Sequence, residues 1–369
     1  MELDVAVVGG GPAGAAASLR LAGAGLRVGL FERSQIPPPQ VGEVLPGAAE
    51  GLLQVLGVWE DMERARFPPC HGVTSAWGGE ELRFSDWVFD CPSRGWRLDR
   101  RRFDALLCQA AQERGVEVRL RSPVRSCHDE AGAWSLTVGD GHGDHVYVAT
   151  FVVTATGRGG APGALSGGRR LADDRLVGLA RRLEGAGNRI SPTRTWIEAA
   201  PDGWWYVTLL GQDLVAVAYL TDADLLPRPD PDGEARWFSL LATAPRTSAL
   251  LHDLRPLSSP RVVAAGSSRR ADVTGTGWIA VGDAAMTLDP LSGQGLYWAL
   301  ASGVAAADAV CRALDGDVEG TSRYSAWVGS AYEEYRRERR RMYLLEQRWR
   351  SSPFWARRHG DRGPEPARR

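Results

Sequence analysis

Lysine is absent from this 369-residue chain, so all 44 of its basic side chains are arginines. Without a lysine amine, the chain cannot form a Schiff base with a carbonyl substrate or hold pyridoxal phosphate as an aldimine. It also has no lysine that could act as a general base. The absence therefore excludes several classes of enzyme before any motif is considered.

Cysteines and long apolar runs are also scarce. The five cysteines are odd in number and none belongs to a CxxC pair, which argues against a disulfide framework and against a zinc site. The one long apolar stretch, residues 5–21, is interrupted by glycines and by Pro12, so it does not resemble a transmembrane segment. The first residues do not resemble a signal peptide. We expect a soluble, cytoplasmic protein with no metal site and no membrane partner.

The formal net charge of −1 hides an uneven distribution. Residues 336–369 hold 12 arginines against four acidic residues, a balance of +8, so the rest of the chain carries −9. A nearly neutral chain is not built to coat nucleic acid, and we expect no such partner. The arginine-rich end is either a solvated helix with a frayed tail or a surface that docks an acidic partner or a cofactor phosphate.

A glycine-rich turn lies between two predicted strands at the start of the chain. The run at 5–8 predicts a buried strand, the sequence from Gly9 to Gly14 opens an alanine-rich helix, and a second strand ends at Glu32. Gly9 permits the tight turn, Gly11 lets the backbone approach a pyrophosphate, and Gly14 allows close packing of helix on strand. Glu32 can accept hydrogen bonds from ribose hydroxyls. This unit predicts a dinucleotide whose phosphates lie at a helix N-terminus.

A second segment, far downstream, indicates which dinucleotide is bound. Residues 278–282 predict a buried strand, and Asp283 at its end is placed to bond a ribityl hydroxyl. Gly293 and Gly295 begin a long predicted helix, to about residue 314, and leave N–H groups free. Those donors and the helix dipole suit the pyrimidine edge of a flavin, which becomes anionic when reduced. The predicted cofactor is therefore FAD, since a nicotinamide would not need this second site.

The middle of the chain has a different pattern. Period-two alternation between about residues 175 and 265 predicts antiparallel strands at 195–199, 204–210 and 214–220. Trp204 and Trp205 are adjacent, so on a strand they point to opposite faces. They are either core residues or, with Tyr206, part of an aromatic-walled substrate pocket.

These motifs together resemble the FAD-dependent monooxygenases of the para-hydroxybenzoate hydroxylase fold. That superfamily also contains tryptophan halogenases and geranylgeranyl reductases. The resemblance covers nearly the whole chain and implies an α/β protein, with a Rossmann-like FAD-binding domain and an antiparallel-sheet substrate domain of α+β type. The implied divisions are an FAD-binding domain at 1–75, 97–174 and 262–328, a substrate domain at 76–96 and 175–261, an arginine-rich helical segment at 329–358 and a flexible tail at 359–369.

The resemblance also assigns cofactor contacts. Arg100 matches the helix arginine that approaches the FAD pyrophosphate, and Val124 falls where the family places a residue against the adenine. The implied FAD-binding residues are Gly9, Gly11, Pro12, Ala13, Gly14, Glu32, Arg33, Glu43, Arg100, Val124, Thr156, Gly157, Gly282, Asp283, Pro290, Gly293, Gln294, Gly295 and Leu296.

Shorter motifs are similar to one branch, the flavoproteins that oxygenate peptide-bound tryptophan. This branch includes maturation enzymes of quinone-cofactor oxidases and hydroxylases of ribosomal-peptide tryptophan. The motifs are residues 42–46, 75–78, 95–99, 203–206, 221–224 and 348–358. The similarity implies that a flavin C4a-hydroperoxide, formed with O2 as co-substrate, hydroxylates an indole in a peptide or protein.

Other functions stay open at this point. A flavin-dependent halogenase, a geranylgeranyl-reductase-like enzyme and a non-enzymatic FAD-binding partner are the alternatives. Halogenases of the superfamily are thought to pass hypohalous acid to an active-site lysine, which this chain lacks. The substrate is either a peptide or a small aromatic molecule.

The sequence offers no obvious acid–base pair, and an electron-rich indole does not require one. Glu43, His71, and Asp289 with Pro290, lie in segments that the resemblance brings near the isoalloxazine ring, and they are the candidate catalytic residues. Structural roles compete with catalysis at each position. His71 is also interpretable as a loop residue, Glu43 as the partner of an arginine, and Asp289 as a turn or cap residue.

The source of electrons is also left open. Residues 155–158 read Ala-Thr-Gly-Arg, where hydroxylases of the superfamily carry an Asp-Gly pair that assists reduction by NAD(P)H. Since the aspartate is missing, either NAD(P)H or a separate flavin reductase could reduce the cofactor.

Overall fold

The computed structural model describes residues 1–35, 44–86, 94–130, 132–141, 143–160, 168–211, 213–228, 233–317 and 319–360. Its strands are, in chain order, β1 (Glu2–Val8), β2 (Val28–Phe31), β3 (Val44–Leu45), β4 (Pro69–Cys70), β5 (Gly72–Ala76), β6 (Arg83–Asp86), β7 (Gly95–Arg97), β8 (Glu117–Arg119), β9 (Val124–Glu130), β10 (Ala133–Asp140), β11 (Gly143–Thr154), β12 (Arg170–Ala172), β13 (Leu176–Glu184), β14 (Arg194–Ala200), β15 (Gly203–Leu209), β16 (Leu214–Asp222), β17 (Arg255–Pro256), β18 (Arg261–Ala264), β19 (Ser268–Arg270), β20 (Thr274–Gly275), β21 (Trp278–Ala280) and β22 (Met286–Thr287). Its α-helices are α1 (Pro12–Gly23), α2 (Glu50–Val55), α3 (Trp59–Ala65), α4 (Arg100–Glu113), α5 (Glu234–Leu241), α6 (Pro245–Leu251), α7 (Gly295–Leu314), α8 (Gly320–Leu344) and α9 (Pro353–His359).

The first sheet is parallel at its centre, with strand order β8–β2–β1–β11–β21. An antiparallel meander of β9 and β10 is attached to β11. The strands β1 and β2 are apolar and almost wholly buried, which is the usual pattern for parallel strands covered on both faces. The α/β fold class with a Rossmann-like first domain is therefore confirmed.

The helices α1 and α7 pack on this sheet and approach each other very closely. The helix α1 is rich in alanine, and its buried residues face both the sheet and the long helix α7. A Cβ at Gly303 of α7 would lie 2.4 Å from the carbonyl oxygen of Ala13, so only glycine fits at this crossing. The close approach fixes the N-terminus of α1 relative to α7.

The second sheet has strand order β17–β13–β16–β15–β14–β5–β6, with β18 also paired to β13. Its pairs are antiparallel except for β14 and β5, which are parallel. The antiparallel strands predicted at 195–199, 204–210 and 214–220 are β14, β15 and β16. One face of this sheet is covered by α5 and α6, and the other face packs against α8 and α9.

Two predicted domain boundaries cut strands of the second sheet. The prediction gave residues 72–75 to the first domain, but β5 pairs with β14. It also ended the substrate domain at 261, whereas β18 pairs with β13 as far as Ala264. Both pairings join segments that are far apart in the chain, so the local pattern of hydrophobic residues does not reveal them.

The arginine-rich end is an integrated part of the fold. The helix α8 begins at Gly320, nine residues before the predicted start at 329, and its tyrosines are buried against the first core. Phe354 and Trp355 of α9 are buried against the second sheet, and His359, which the prediction assigned to the tail, ends that helix. Residues 361–369 of the predicted tail lie outside the described residues. The acidic partners of the arginines are internal, in the pairs Arg336–Asp173, Arg339–Asp174, Arg341–Glu338, Arg348–Glu346, Arg357–Asp224 and Arg358–Asp222.

The described residues contain neither a helix suited to span a membrane nor a cluster suited to hold a metal ion. No described helix is both long and apolar enough to span a membrane. The described His, Cys, Asp and Glu residues include no group of three or more that could hold a metal ion.

Candidate cofactor and active site

Loops that follow β1, β11 and β21 meet at one edge of the parallel sheet. The ends of these strands are in register, because Val8 pairs with Thr154 and Thr154 pairs with Ala280. From β1 the chain passes through α1 to β2 on one side of β1, whereas β11 and β21 lie on the other side. The strand order therefore changes direction between β1 and β11, which makes this edge a topological switch point. Ligands of open α/β sheets bind at such points.

The glycines of the first loop separate into two steric classes. A Cβ at Gly9 would lie 2.3 Å from the carbonyl oxygen of Ala155, and a Cβ at Gly14 would lie 2.0 Å from that of Gly9. Gly9 also has φ +112°, which strongly favours glycine. In contrast, a Cβ at Gly11 would meet nothing within 4 Å. Protein packing therefore explains glycine at two positions, whereas at Gly11 the open space fits the close approach of a phosphate.

The N-terminus of α1 carries no side-chain cap, and Pro12 occupies its first turn. Ala13 follows Pro12, and a Cβ at Gly282 would lie 2.7 Å from the Cβ of Ala13. The loop at Gly9–Gly14 and the loop that contains Gly282 and Asp283, both predicted to bind one cofactor, are therefore in direct contact. Uncapped N–H groups and the positive end of a helix dipole suit a bound pyrophosphate.

Glu32 ends the second predicted strand and is held by backbone amides. Its Oε2 accepts a hydrogen bond from the N–H of Gly10 at 2.7 Å, and its Oε1 accepts one from the N–H of Ser34 at 2.8 Å. An ionised carboxylate has about four acceptor sites, so two stay available for ribose hydroxyls. The side chain is partly exposed, in agreement with such a role.

Arg100 makes a buried ion pair in the first turn of α4. Its Nε and Nη2 donate to the two carboxylate oxygens of Asp104 at 3.1 and 3.2 Å. Burial raises the pKa of Asp104, and the nearby Glu32 charge adds to this effect. Burial with these two acidic neighbours also raises the pKa of Cys108 to about 12, so that thiol stays neutral. The pair thus lies beside the dinucleotide loop, as expected for Arg100.

Three other predicted contacts have less direct evidence of a role in this region. Arg33 is exposed, and its guanidinium lies near Gly159. Val124 is half-buried on β9 and packs beside the cluster that contains Phe31. Thr156 lies within 3.5 Å of Thr154, hydroxyl to hydroxyl.

Arg158 joins the loops from three parts of the chain. Its Nε donates to Oδ2 of Asp283 at 3.1 Å, its Nη1 to the carbonyl of Gly266 at 2.7 Å, and its Nη2 to the carbonyl of Leu288 at 3.2 Å. Asp283 is about one-third exposed, so its carboxylate can also accept a bond from a ligand. Gly157, with φ +64°, begins the turn that carries Arg158.

The segment from Pro290 to Leu296 supplies a second uncapped helix N-terminus. Pro290 begins a 3-10 turn, Gly293 has φ +62°, and Gln294 is followed by the 20-residue helix α7 from Gly295. Gly293, Gln294 and Gly295 are exposed, and no side chain caps α7. Leu296 is buried and anchors the helix in the first core. The N–H of Gly293 donates to the carbonyl of Pro290 at 3.0 Å and that of Gln294 to Oγ of Ser292 at 3.3 Å, so the N–H groups at the start of α7 itself are the donors that fit the pyrimidine edge of a flavin.

Comparisons with known proteins agree with this geometry. Residues 2–179 match the model of a family described as an FAD binding domain. The chain is 30% identical over 364 residues to the FAD-dependent oxidoreductase LodB of Marinomonas mediterranea, covering 96% of each protein. The chain belongs to the FAD-dependent oxidoreductases. The members of this family are enzymes. Their cofactor, FAD, fits the two glycine loops and the two uncapped helix N-termini.

Two solved structures have the same fold over almost the whole chain. The myxobacterial chondrochloren halogenase CndH is 25% identical, with a TM-score of 0.90, and the alignment covers 97% of this chain and 86% of that one. The peptidyl tryptophan dihydroxylase QhpG is 26% identical, with a TM-score of 0.79. Its alignment covers 99% of this chain and 80% of QhpG. This FAD-dependent oxidoreductase is therefore similar to enzymes of two different chemistries.

The candidate catalytic residues of the oxidoreductase differ in their burial and in their hydrogen bonds. Asp289 is fully buried, and its Oδ1 accepts a hydrogen bond from the N–H of Leu291 at 2.9 Å while its Oδ2 accepts one from the hydroxyl of Tyr343 at 2.8 Å. It is a capping residue of the turn, which is one of the two roles that the sequence left open, and its catalytic role stays a prediction. His71 is half-buried and its N–H donates to the carbonyl of Thr193 at 2.7 Å. Glu43 lies outside the described residues.

The predicted substrate-pocket tryptophans are core residues of the oxidoreductase. Trp204 has no exposed surface and packs against Trp77, Tyr343 and Trp355. Trp205 is equally buried on the other face, with its ring 5.0 Å from that of Trp237. Both residues therefore pack in cores and do not line an open pocket, because helices cover both faces of β15. Tyr206 is 8% exposed and shares a cluster with Leu291 of the turn after Asp289.

Sequence reasoning missed several residues near the site. Tyr335 accepts a hydrogen bond from the N–H of Asp289 at 2.7 Å, and Tyr343 lies on the same helix, α8. Arg158 was noticed only because it stands where an Asp-Gly pair is expected. The tyrosine spacing on α8 could have indicated a buried face, but no local pattern identifies its partners.

Proposed function

We propose that this FAD-dependent oxidoreductase is a monooxygenase that hydroxylates an aromatic ring, and that its substrate is the indole of a tryptophan in a peptide or protein. The observation that carries the proposal is the absence of lysine from a chain of an FAD-dependent family. A halogenase that passes hypohalous acid to a lysine has no such residue here. Insertion of oxygen into an electron-rich ring has no such requirement.

Similarity to QhpG supports the branch of the proposal. That protein is a peptidyl tryptophan dihydroxylase, and the alignment covers 99% of this chain. Similarity to CndH favours halogenation as the second candidate, since its TM-score is 0.90. The two candidates differ in what is transferred, an oxygen atom or a halogen, so one experiment can separate them.

In this proposal the substrate lies beside the turn at 290–292, whose other side packs on the second sheet. Leu291 of that turn belongs to one buried cluster with Tyr206 of β15 and Ile197 of β14. Apolar walls of this kind exclude water from a reacting centre. FAD, when bound and reduced, supplies the two electrons with which dioxygen yields one oxygen atom for the ring and one molecule of water.

The chain's own residues then have binding and positioning roles. The N–H groups at the start of α1 bind the pyrophosphate, Glu32 accepts from the ribose, and the N–H groups at the start of α7 bind the flavin edge. Asp289 holds the turn that precedes those groups, through Tyr343 and Leu291. In this proposal no side chain must remove a proton before oxygen transfer, because the indole is already nucleophilic.

The electron donor is a separate part of the proposal. Residues 155–158 lack an aspartate, so we expect a flavin reductase or externally reduced flavin to serve the enzyme better than NAD(P)H alone. The test compares turnover with NADH, with NADPH, and with NADH plus a flavin reductase.

The proposal is tested by intact-mass analysis. The FAD-loaded enzyme is reduced with dithionite without oxygen and is then mixed with aerated buffer and a panel of tryptophan-containing peptides. We expect a gain of one or two oxygen atoms in at least one peptide, and no gain in matched peptides with phenylalanine in place of tryptophan. Chlorinated or brominated peptide in halide buffer, with no oxygenated product, would instead establish the second candidate.

A further inference from the structure

A row of tyrosine and tryptophan rings runs from the turn at 290–292 to the surface. Tyr343 donates to Asp289, which caps that turn, and its ring centroid lies 6.0 Å from that of Trp355. Trp355 has no exposed surface and stacks on Trp349 at 6.3 Å, with 28° between the ring planes. Trp349, between α8 and α9, is partly exposed. Two short steps between rings therefore join Tyr343 to solvent.

A second route through Trp77 joins the same two ends. The ring of Trp77 lies 5.8 Å from that of Tyr343 and 5.2 Å from that of Trp355. Trp77 follows β5, so it reaches the row from another part of the chain. Both routes arrive at Trp355, which is the ring that stacks on Trp349. Trp355 is therefore the link on which the row depends.

The type of ring distinguishes this row from ordinary core packing. Phenylalanine also packs at these centroid separations, so packing alone does not require tryptophan or tyrosine. Both of these side chains lose one electron far more readily than phenylalanine, because the indole nitrogen and the phenol oxygen donate electron density to the ring. An electron that leaves one ring of the row is replaced from its neighbour over a short distance. The row therefore has the composition of a path for electrons.

The protons of these rings fit oxidation at one end and release at the other. The hydroxyl of Tyr343 donates to Oδ2 of Asp289 at 2.8 Å, so its proton has an acceptor when the ring loses an electron. The indole N–H groups of Trp77 and Trp355 donate to main-chain carbonyls at 2.8 and 2.9 Å. A carbonyl is too weak a base to take this proton, so a missing electron moves on from these buried rings. At Trp349 water takes the proton, and the vacancy is held at the surface.

The arginines beside the row do not prevent this oxidation. A lone cation next to a ring opposes the loss of an electron, but a cation with a carboxylate partner adds little net charge. Both of the neighbouring arginines have such a partner, in the pairs Arg358–Asp222 beside Tyr343 and Arg348–Glu346 over Trp349.

We propose that this row carries oxidising equivalents away from the FAD site, and so protects the enzyme when no substrate captures the oxygen. The oxidant is hydroxyl radical, which forms with hydroxide when the peroxide made from reduced flavin and dioxygen gains one further electron from reduced flavin. The radical gains an electron from Tyr343 and becomes hydroxide, and the phenolic proton moves to Asp289. The inference goes beyond the proposed function, since it needs only bound FAD and dioxygen.

The remaining steps restore every ring. An electron passes from Trp355 to Tyr343, which takes its proton back from Asp289. Another electron passes from Trp349 to Trp355, and the indole proton of Trp349 goes to water. An external thiolate then supplies an electron to Trp349, which regains a proton, and two thiyl radicals couple to a disulfide. Each event thus consumes one hydroxyl radical and one thiolate.

The test generates the oxidant with blue light, since excited oxidised flavin removes an electron from tyrosine or tryptophan. The FAD-loaded protein is irradiated with dithiothreitol and without oxygen or substrate. The loss of flavin absorbance then measures the electrons that reach the flavin through the row. Because the measurement needs neither oxygen nor substrate, failure of the monooxygenase proposal leaves it valid.

We expect the flavin absorbance of the wild type to fall several-fold faster than that of Trp355→Phe or Trp349→Phe. Trp77→Phe should have a smaller effect, because the direct contact between Tyr343 and Trp355 stays. Trp237→Phe removes a similarly buried tryptophan on the other face of the second sheet and should match the wild type. Equal rates in the wild type, Trp355→Phe and Trp349→Phe overturn the proposal, and so does an equal loss in Trp237→Phe.

A second measurement tests protection itself. The reduced, FAD-loaded enzyme is exposed to oxygen without substrate or thiol, and peptide mass mapping locates the oxygen atoms that the protein gains. We expect oxidation at Trp349 in the wild type, and at Trp355 in Trp349→Phe. Since Trp349 is partly exposed, this variant should fold even if Trp355→Phe does not. A wild type without oxidation at Trp349 contradicts the protective role.

Discussion

Tyr343 donates its hydroxyl to Oδ2 of Asp289 at 2.8 Å, and the indole of Trp204 donates to the same hydroxyl at 3.2 Å. These bonds connect the second sheet, the helix α8 and the turn that precedes the proposed flavin edge. The arginine-rich end of the chain thus has a role within the fold, because it carries Tyr343 and Tyr335 to this turn.

The first prediction concerns this connection. Tyr343→Phe keeps the ring packing but leaves a buried carboxylate oxygen without its donor, which should lower the free energy of unfolding by about 1–3 kcal/mol. The turn at 290–292 should also loosen, so FAD should dissociate more readily. Denaturant unfolding and equilibrium dialysis of FAD measure the two effects.

Tyr147→Phe is the matched control for that change. It removes a hydroxyl that donates to Glu117 at 3.0 Å on the first sheet, outside the 289–296 segment. Some loss of stability is expected, but no change in FAD affinity. Equal effects of both variants on FAD affinity would contradict the positioning role of Tyr343.

The second prediction concerns pH. Burial raises the pKa of Asp289 above its ordinary value of 3.8. The folded protein therefore holds this proton more tightly than the unfolded chain, so the group favours folding below 3.8 and this contribution is lost as pH rises through the folded pKa. Asp289→Asn removes the titration. The stability of the wild type relative to Asp289→Asn should fall between about pH 4 and neutral pH. A difference that rises over this range would contradict the assignment.

The third prediction uses two glycines of the same loop. Gly14→Ala places a Cβ against the carbonyl of Gly9, so it should destabilise the protein even without FAD. Gly11→Ala meets no protein atom, so the FAD-free protein should melt at the wild-type temperature while FAD affinity is lost. Thermal melts with and without FAD distinguish the two. If Gly11→Ala binds FAD normally, the phosphate does not lie where we expect it.

The fourth prediction concerns Arg158. Arg158→Gln removes donors to Asp283, Gly266 and Leu288, and the loops around the cofactor should lose their common anchor. Since the arginine is partly exposed, we expect a moderate effect, with FAD affinity about threefold to tenfold lower. Arg20→Gln breaks an exposed pair with Asp308 and should leave FAD affinity unchanged. A similar loss in both variants would indicate a general charge effect.

The sequence was informative where function depends on local spacing. The Gly9–Gly14 loop, Asp283 and the Gly293–Gly295 segment are each identified by residues close together in the chain, and the fold brings the first two into contact through Ala13 and Gly282. Regular alternation likewise predicted β14, β15 and β16 close to their observed bounds.

Residues whose role depends on distant partners could not be predicted in the same way. The sequence left catalysis and capping open for Asp289, and it could not show that Tyr343, 54 residues away, donates to this buried carboxylate. Trp204 looked like a pocket wall, but α9 covers it.

The central claim is that the enzyme transfers oxygen, and not a halogen, to an indole. The most direct measurement supplies reduced, FAD-loaded enzyme with 18O-labelled dioxygen, equal concentrations of bromide and chloride, and a tryptophan peptide in one reaction. We predict that the peptide gains the heavy oxygen isotope and no halogen, and that unlabelled dioxygen in labelled water gives no heavy product. A brominated or chlorinated peptide without the heavy isotope would contradict the account.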